Sequence, residues 1–387
     1  MDQTSQDVRP TLTSAGPTPG RRAVLGLLGA AGLAACAPTV QLAGRPAQGF
    51  SGPRFEGDRF ISYDGAALGL TVWPSTLSVL AHLDGSAAPD GVAPWVATTE
   101  PWAVIVGLHG MNAYARSFRL AAPYWAAQGI TTYAYDQRGF GRSPNRGVWA
   151  SDEAFTEDLR TAVALARQAH PHAIIAVAGE SMGGAVAIEA FASDRPPQAD
   201  RLVLLSPAVW GWSSQPLPYL TSLWFTAHLA PAQVITPPRI VTNHIMTSDN
   251  RAELISLGRD PLMIWGARTD ALYGLVGLME RAWRDTGRLR VPTAYLYGAH
   301  DQVIPARPAR QAAGRLGSGG RTAFYADGYH LLMVDRQAQN VWRDVAAFLR
   351  DPAAPFPSGA PPISMERPAS SRQASAPAAP GGGPGTP

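Results

Sequence analysis

The sequence contains very little cysteine, few charged residues and no long apolar run. Cys36 is the only cysteine among 387 residues, which excludes an intrachain disulfide. Charged residues make up 16% of the chain and the formal net charge is only +3. No block of Lys and Arg of the kind that follows a phosphate backbone is present. The C-x-x-C, H-E-x-x-H and phosphate-loop patterns of common metal and nucleotide sites are also missing. We therefore expect no nucleic-acid partner and no metal or other cofactor.

The N-terminal segment has the three zones of an export signal. Arg21 and Arg22 precede the apolar run AVLGLLGAAGLAAC, which is too short to span a bilayer as a helix and which ends at Cys36. This arrangement resembles a bacterial lipoprotein signal, in which residues 1–35 are removed and the new terminal cysteine is acylated. A secretory signal with a chance cysteine is the alternative. The arginine pair also resembles a twin-arginine export signal.

The lipoprotein resemblance implies a protein that is exported and attached to the bacterial cell envelope through lipid chains on Cys36. Attachment by more than one acyl chain is stable, so a membrane surface is an expected partner. Ala37 follows the cysteine in place of the aspartate associated with inner-membrane retention. This favours the outer membrane in a host that has one. The sequence leaves the oligomeric state open.

Two stretches of biased composition flank the apolar part of the chain. Residues 36–54 are small, include Pro and Gly, and are predicted to form a tether. Residues 351–387 hold almost no bulky apolar side chains and are rich in Pro, Ala, Gly and Ser. Such a segment buries too little surface to offset its ordering entropy, so we predict a disordered tail. The globular domain is therefore expected to cover residues 55–350.

Between these ends, short apolar runs alternate with helical patterns. Runs such as WAVIVGLHG and AIIAVAGES indicate buried strands, and their alternation with helices is typical of an α/β fold with a mostly parallel sheet flanked by helices. The segment from about 207 to 290 has no clear strand and is predicted to be an inserted, mostly helical cap. Some of its aromatic residues are candidates for substrate binding, with packing inside the cap as the alternative. These are Trp210, Trp212, Trp224 and Phe225.

The stretch GESMGG at residues 179–184 matches the pattern G-x-S-x-G. It follows a predicted strand and precedes a predicted helix, which is the context of a sharp turn that exposes a nucleophilic serine. Glycines on both sides allow the strand and the helix to approach closely. Ser181 is therefore predicted to be the nucleophile.

A serine hydroxyl needs a base, and the base needs an acid that orients it. In this fold class the acid and then the histidine follow the serine, each at a strand end. Asp301 closes the run TAYLYGAH and His330 follows the run TAFYADG, so we predict them to be the acid and the base. Asp327 is a second choice for the acid. The remaining histidines beyond the serine lie in the cap or beside the acid, and they are His228, His244 and His300.

The tetrahedral intermediate of acyl transfer needs two N–H donors for its oxyanion. One is expected from the residue after the nucleophile, Met182, and the other from the turn GLHGMN after an earlier strand. Gly110 allows that turn to approach the serine, and the N–H of Met111 is the predicted second donor. His109 is interpreted as a structural hydrogen-bonding residue.

Several motifs in chain order resemble the monoacylglycerol lipase and lysophospholipase-like branch of the α/β-hydrolases, also described as the serine aminopeptidase S33 type. They are a strand ending in HG, then DQRGFGRS, GESMGG, GAHDQVIP and GYH, and together they cover roughly residues 55–350. The resemblance implies the α/β-hydrolase fold. It also implies the same roles for Ser181, Asp301 and His330.

The resemblance extends to two further segments. It implies a structural role for the turn at residues 136–143, and the sequence RDPL at residues 259–262 in the cap also matches the branch. The Trp- and Pro-containing stretch 210–238 follows no pattern of the branch, and the signal segment and the tail lie outside its core.

These residues predict a serine ester hydrolase that forms an acyl-enzyme on Ser181. The expected substrate is a small acyl ester of the monoacylglycerol or lysophospholipid type. An acyltransferase that uses the same three residues is one alternative, and a lipid-anchored binding protein without chemistry is another. Peptidase activity on an N-terminal residue also occurs among relatives of the branch. It would need an acidic cap site for the amine, and the stretch SSQPLPYLTSLWFTAHLAP contains no acidic residue.

Overall fold

The computed structural model describes residues 37–76, 79–82, 95–98, 100–236 and 245–364. The predicted signal peptide, Cys36, His244 and residues 365–387 lie outside the described residues. Strands β1 to β13 are, in order, Arg54–Glu56, Arg59–Ile61, Ala67–Trp73, Val79–His82, Trp95–Thr98, Ala103–Leu108, Ile130–Tyr135, Ile174–Glu180, Arg201–Leu205, Val234–Ile235, Ala267–Arg268, Thr293–Gly298 and Gly320–Tyr325. Helices α1 to α8 are Ala121–Ala127, Asp152–Ala169, Met182–Ala192, Leu217–Leu229, Arg251–Gly258, Thr269–Asp285, Ala306–Ala313 and Ala338–Arg350.

A nine-stranded sheet with the order β1-β2-β3-β7-β6-β8-β9-β12-β13 forms the centre of the fold. Six neighbouring strands of this sheet, β7, β6, β8, β9, β12 and β13, pair in parallel. The strands β1, β2 and β3 add an antiparallel edge next to β7. The prediction of an α/β fold with a mostly parallel sheet is therefore confirmed. Because the strands run in parallel, the loops after β6, β8, β12 and β13 all lie at one edge of the sheet.

The continuous apolar strands divide their side chains between two cores. In β8, Ile175 and Val177 pack on one face of the sheet, while Ala176 and Ala178 pack on the other. This follows from the two-residue repeat of a strand. Helices α2, α3 and α6 contribute buried residues to the first core, and α1 and α8 to the second. Within the described ranges, no helix combines the length and apolar composition needed to cross a bilayer.

The predicted cap, residues 207–290, extends too far at its C-terminal end. Helix α6 buries Val276, Leu278 and Ala282 in the first core of the sheet, so it is one of the helices that flank the sheet. The other described helices and strands of this segment are α4, α5 and the two-residue strands β10 and β11, which pair with each other. A sheet-covering helix and a cap helix show the same apolar spacing, which is why the sequence pattern did not separate them.

The described part of the predicted tether does not stand free of the domain. Gln41 donates its backbone N–H to the carbonyl of Trp149 at 2.8 Å, and its own carbonyl accepts the N–H of Ser151 at 2.9 Å. The N–H of Gly44 donates to Asp64 Oδ2 at 2.9 Å. These backbone hydrogen bonds correct the prediction, because they hold the segment along the domain surface in a way that small-residue composition does not reveal.

The first part of the predicted disordered tail, residues 351–364, packs on the domain. Phe356 is only 9% exposed, and its ring lies 6.4 Å from that of Phe348. The carbonyl of Pro361 accepts the N–H of Phe324 at 2.8 Å, and the N–H of Ile363 donates to Thr322 Oγ1 at 2.9 Å. The prediction is therefore wrong for these residues, since a few apolar anchors are enough to dock a proline-containing segment on an edge strand.

Candidate active site

Ser181 lies on a sharp turn between β8 and α3. Its backbone has φ 50° and ψ −114°, a strained conformation for a residue with a Cβ atom. Its N–H donates to the carbonyl of Leu205 at 2.9 Å. A Cβ atom added at Gly183 would lie 2.4 Å from the carbonyl oxygen of Leu108, so only glycine allows the helix to start this close to β6. The structure thus places Ser181 at the strand-to-helix turn that the sequence pattern predicts.

Asp301 and His330 meet at the ends of the last two strands of the sheet. His330 Nδ1 lies 2.8 Å from Asp301 Oδ2, and the side chain of Asp301 is fully buried. Asp301 Oδ1 accepts the N–H groups of Val303 at 2.8 Å and Ile304 at 2.9 Å. A carboxylate fixed in this way holds the imidazole with Nδ1 protonated and leaves Nε2 as its basic nitrogen. Asp327, the second choice for the acid, is exposed.

The electrostatic surroundings of His330 favour its protonated form. Burial by itself lowers the pKa of this imidazole, but the charge and hydrogen bond of Asp301 outweigh burial, and Glu180 and Asp335 add to their effect, so that the pKa is raised. Asp335 lies on the same loop and accepts the N–H of Tyr329 at 2.7 Å. Burial raises the pKa of Asp335 to about 6. His330 is therefore surrounded by carboxyl groups that stabilise an imidazolium.

A second loop approaches Ser181 from the end of β6. His109 is fully buried, its Nδ1 donates to the carbonyl of Gly110 at 2.8 Å, and its Nε2 accepts the N–H of Gln137 at 2.8 Å. Because one partner can only accept and the other can only donate, the imidazole is neutral with Nδ1 protonated. Burial also lowers its pKa. These bonds agree with the structural role predicted for His109.

This loop carries the predicted oxyanion donor Met111. A Cβ atom at Gly110 would lie 3.2 Å from the Cβ atom of Ser181, so the loop passes directly beside the serine. Met182, the other predicted donor, is the first residue of α3 and is buried. The structure therefore brings the backbone of both predicted donors to the neighbourhood of Ser181.

The turn at residues 136–143 supports this loop, because the backbone N–H of Gln137 donates to His109 Nε2. The carboxylate of Asp136 accepts the N–H of Ala115 at 2.9 Å and both the backbone N–H and Nε of Arg142, at 2.9 and 2.8 Å. Arg138 pairs with the buried carboxylates of Asp64 and Asp158 at 2.8 and 2.7 Å. These bonds fit the structural role that the family resemblance implies.

The cap is attached to the loop that carries the oxyanion donor. Asp260 of the RDPL sequence accepts hydrogen bonds from Tyr114 Oη at 2.7 Å and Arg116 Nη1 at 2.8 Å. The N–H of Ile264 donates to the carbonyl of Asn112 at 3.0 Å. The motif match pointed to Asp260 as a feature of the family but gave no role for it.

A second attachment joins the cap to the acid and base loops, and sequence reasoning missed it. The segment 246–250, between β10 and α5, is hydrogen-bonded to these loops through the side chains of Ser248 and Asp335 and through four further hydrogen bonds. They are Met246 N–H to Gln302 Oε1 at 2.9 Å, Leu331 N–H to Thr247 O at 2.9 Å, Arg336 N–H to Asp249 Oδ1 at 2.8 Å and Asn250 Nδ2 to Val334 O at 2.9 Å. Three of these bonds use a backbone N–H as the donor, which any residue but proline provides, so no sequence signal could have found them.

A cavity of about 490 Å³ lies between the oxyanion loop and the cap. Its lining is mostly apolar and includes Met111, Phe140, Met263, Ile264 and Trp265. A volume of this size is typical of small-molecule sites. The cavity therefore offers an apolar space directly next to the predicted oxyanion donor.

The four aromatic residues predicted to bind substrate do not line this cavity. Trp210 Nε1 donates to the carbonyl of Ser214 at 3.3 Å, and the ring of Trp212 lies 5.1 Å from that of Tyr273. Trp224 stacks on His228 with ring centroids 4.3 Å apart. Trp224 and Phe225 are 47% and 55% exposed on α4.

The strained serine after a parallel strand, the Asp–His pair at two later strand ends and the glycine-containing loop beside the serine define an α/β-hydrolase. Residues 99–337 match the family described as "Serine aminopeptidase, S33", and the chain belongs to this family. It is a serine ester hydrolase of the branch that contains the monoacylglycerol lipases.

Two curated relatives illustrate the similarity. A monoacylglycerol lipase of Mycolicibacterium smegmatis is 26% identical over 268 residues, which cover 66% of this chain and 90% of the relative. The human monoglyceride lipase is 26% identical over 245 residues, which cover 62% of this chain and 78% of the relative.

Solved structures share the fold. The monoacylglycerol lipase of Paleococcus ferrophilus has a TM-score of 0.57 at 18% identity and covers 74% of this chain and 99% of its own. A soluble variant of the Saccharomyces cerevisiae monoglyceride lipase in complex with a substrate analogue has a TM-score of 0.60 at 16% identity, covering 81% of this chain and 100% of its own.

Proposed function

We propose that this protein hydrolyses the ester bond of monoacylglycerols, or of lysophospholipids with a similar single acyl chain, through an acyl-enzyme on Ser181. The observation that carries the proposal is the 2.8 Å contact between His330 Nδ1 and the buried carboxylate of Asp301. It occurs at the edge of the sheet where Ser181 is held in a strained turn. The positions of all three groups at strand ends, in the chain order of a hydrolytic triad of this class, support this proposal.

The chemistry follows from these groups. His330 Nε2 takes the proton of Ser181 Oγ as the oxygen attacks the acyl carbonyl carbon, and the N–H groups of Met111 and Met182 stabilise the resulting oxyanion. The imidazolium then gives its proton to the leaving alcohol oxygen as the ester C–O bond breaks. A water molecule attacks the acyl-enzyme by the same route, with His330 taking its proton and returning it to Ser181 Oγ.

The apolar cavity beside Met111 supports an acyl ester as the substrate. An acyl chain bound there would lie against Met111, one of the two predicted oxyanion donors, with Met263 and Ile264 of the cap around the chain. Two curated relatives of this chain are monoacylglycerol or monoglyceride lipases. An acyltransferase would use the same acyl-enzyme, and product analysis with an added alcohol acceptor separates it from a hydrolase.

The cap does not favour a substrate with an N-terminal amine. Its acidic residues between α4 and β11 are Asp249, Glu253 and Asp260, and each already has a partner. Asp249 accepts the N–H of Arg336, Glu253 pairs with Arg119, and Asp260 pairs with Arg116. Two of these three carboxylates are therefore neutralised by arginines, which leaves fewer acidic groups to bind an amine and supports an ester over a peptide substrate.

The test is hydrolysis of monoacylglycerols of graded acyl-chain length, with lysophosphatidylcholine in parallel, by the full chain and by Ser181→Ala. We expect Ser181→Ala to lose at least about a thousandfold in kcat/KM. Ser222→Ala, an exposed serine on α4, is the matched control and is expected to keep full activity. Undiminished hydrolysis by Ser181→Ala would exclude the proposed nucleophile. Cleavage of simple esters without cleavage of monoacylglycerols or lysophospholipids would exclude the proposed substrate.

We also propose export and lipid attachment at Cys36, which rests on the sequence of residues 21–36 alone. Cys36→Ser is expected to move the protein from the membrane fraction to the soluble fraction while its activity on soluble esters is unchanged. Metabolic labelling with a fatty acid gives an independent readout. A Cys36→Ser variant that still sediments with membranes and carries label would contradict the attachment.

A further inference from the structure

Glu180 is a buried carboxyl group next to the nucleophile that the proposed reaction does not use. It is the last residue of β8 and is 2% exposed. It accepts a hydrogen bond from the side chain of Ser117 and another from the backbone N–H of Gly110. A carboxyl group in such a position costs folding free energy, because burial of its charge is unfavourable. Its presence beside Ser181 therefore calls for a functional explanation.

Ser117 and Gly110, the two hydrogen-bond donors, connect Glu180 on β8 to a short helix and to the oxyanion loop. Ser117 lies in the short 3-10 helix Ala115–Phe118, and Gly110 lies in the oxyanion loop one residue before Met111. A Cβ atom at Gly110 would lie 3.7 Å from Glu180 Oε2, which shows how closely the loop passes the carboxyl group. Hydrogen bonds to an ionised acceptor are stronger than neutral ones. Glu180 thus fixes the oxyanion loop from the strand that carries the nucleophile.

Glu180 also faces the catalytic imidazole. Among the described residues, the carboxyl groups that face His330 are Asp301, Glu180 and Asp335, which lie after β12, at the end of β8 and on the base loop. Burial raises the pKa of Glu180, while the hydrogen bond from Ser117 and the positive charge of His330 act in the opposite direction. An imidazolium at His330 and a carboxylate at Glu180 therefore stabilise each other.

We propose that Glu180 is a positioning residue that holds the oxyanion loop against the nucleophile turn and adds a further buried negative charge to those around His330. The proposal rests on the proposed function of Ser181 and His330 and deepens it. The charge acts when His330 takes the serine proton, because Glu180 is one of the carboxyl groups whose charge favours the imidazolium. The hydrogen bonds act throughout the cycle, because they fix the chain that presents the N–H of Met111.

The variant Glu180→Gln removes the negative charge of the side chain and nearly keeps its shape. The amide keeps an oxygen that accepts the N–H of Gly110 but carries no charge. We expect kcat/KM on its plateau to fall about tenfold and the acid limb of its pH profile to move to lower pH. We expect the midpoint of thermal unfolding to stay the same or rise, since a carboxyl with a raised pKa destabilises the fold once it ionises. Glu180→Asp keeps the charge and is expected to keep the acid limb of the wild type.

Glu189→Gln is the matched control on the same helix–strand unit. Glu189 lies on α3, pairs with Arg281 at 3.2 Å, and burial raises its pKa to about 7. It does not face His330, so its substitution is expected to leave the pH profile unchanged. Ser117→Ala removes one hydrogen bond and leaves the charge of Glu180. It is expected to lower kcat/KM severalfold with the acid limb in place.

Direct titration of His330 by NMR in the Ser181→Ala background reports the charge effect without any turnover. We expect the pKa of the imidazole to be lower when Glu180→Gln is added to that background. An imidazole pKa that is the same with and without Glu180→Gln would overturn the electrostatic part. Unchanged kcat/KM in both Glu180→Gln and Ser117→Ala would overturn the positioning part. A wild-type protein without ester hydrolysis would instead overturn the proposed function, so the two failures are distinguishable.

Discussion

Substitution of Gly298 by alanine tests whether the contact between the acid and base loops sets the geometry of the site. Gly298 is the last residue of β12, and the loop after it carries Asp301. A Cβ atom at Gly298 would lie 2.4 Å from the carbonyl oxygen of Gly328 and 2.5 Å from that of Tyr329. Both are backbone atoms of the loop that carries His330, and the N–H of His300 donates to the Gly328 carbonyl at 2.8 Å.

The magnitude follows from these distances. Ordinary contact of a Cβ atom begins at 3.4 Å, so the two loops must separate by about 1 Å. Backbone atoms cannot rotate away as a flexible side chain can. Such overpacking typically costs about 1–3 kcal/mol of unfolding free energy. The same displacement stretches the 2.8 Å bond between His330 and Asp301, and a misplacement of about 1 Å lowers catalysis by about a hundredfold.

Two measurements check this prediction, namely urea unfolding and kcat/KM at a pH above the acid limb. We expect Gly298→Ala to lower both, with the larger relative effect on kcat/KM. Gly258→Ala is the matched control, because Gly258 ends α5 with no atom within 4 Å of an added Cβ. It is expected to leave kcat/KM unchanged and to keep or slightly increase stability, by up to about 1 kcal/mol. A Gly298→Ala variant with the urea midpoint and kcat/KM of the wild type would refute the reasoning.

Three further predictions follow from the structure. The pKa of His330 is raised, and the base must be neutral to act. We therefore expect kcat/KM to fall with decreasing pH, with the midpoint of this acid limb above the ordinary histidine pKa of about 6.5. A midpoint below that pKa contradicts the assignment of His330 as the base. Asn250→Ala removes the hydrogen bond to Val334 and the N-cap of α5, so we expect it to lower both kcat/KM and the unfolding free energy, the latter by about 1 kcal/mol. The N-cap variant Ser151→Ala should lower the unfolding free energy alone. Equal activity of the two variants in a steady-state assay counts against coupling of the cap to the base loop. Phe356→Ala is expected to lower the unfolding free energy by about 2–3 kcal/mol in urea titration without a change in kcat/KM, and an unchanged urea midpoint would show that the segment after α8 is not docked.

The sheet and the nucleophile turn could be predicted because local sequence rules fix them. Buried parallel strands need continuous apolar runs, and the turn at Ser181 needs small residues where α3 passes β6, so both leave a pattern. The pair Asp301 and His330 was predicted from chain order and strand ends, and the structure places the two side chains in hydrogen-bond contact. The family match over residues 99–337 covers this same part of the chain.

The rest depends on tertiary contacts that leave no local pattern. Helix α6 has the amphipathic spacing of any surface helix, and only its packing against α3 shows that it flanks the sheet. Residues 351–364 are held by a few anchors such as Phe356 within a proline-containing stretch. Glu180 occupies a variable position of the G-x-S-x-G pattern, so its contact with the oxyanion loop becomes visible only in three dimensions.

The cap is fixed to the catalytic machinery at two separate places, and this limits how the substrate can be selected. Asp260 and Ile264 join it to the oxyanion loop, while the segment 246–250 joins it to the acid and base loops. Residues 246–264 therefore cannot shift without disturbing the loops that carry the proposed catalytic groups. Since Met263 and Ile264 line the cavity within this fixed part, the fit of the acyl chain and the alignment of the oxyanion donors are properties of one connected structure. The exposed aromatic residues of α4, Trp224 and Phe225, do not line this cavity, so their role in substrate binding stays a prediction that is independent of this connected structure.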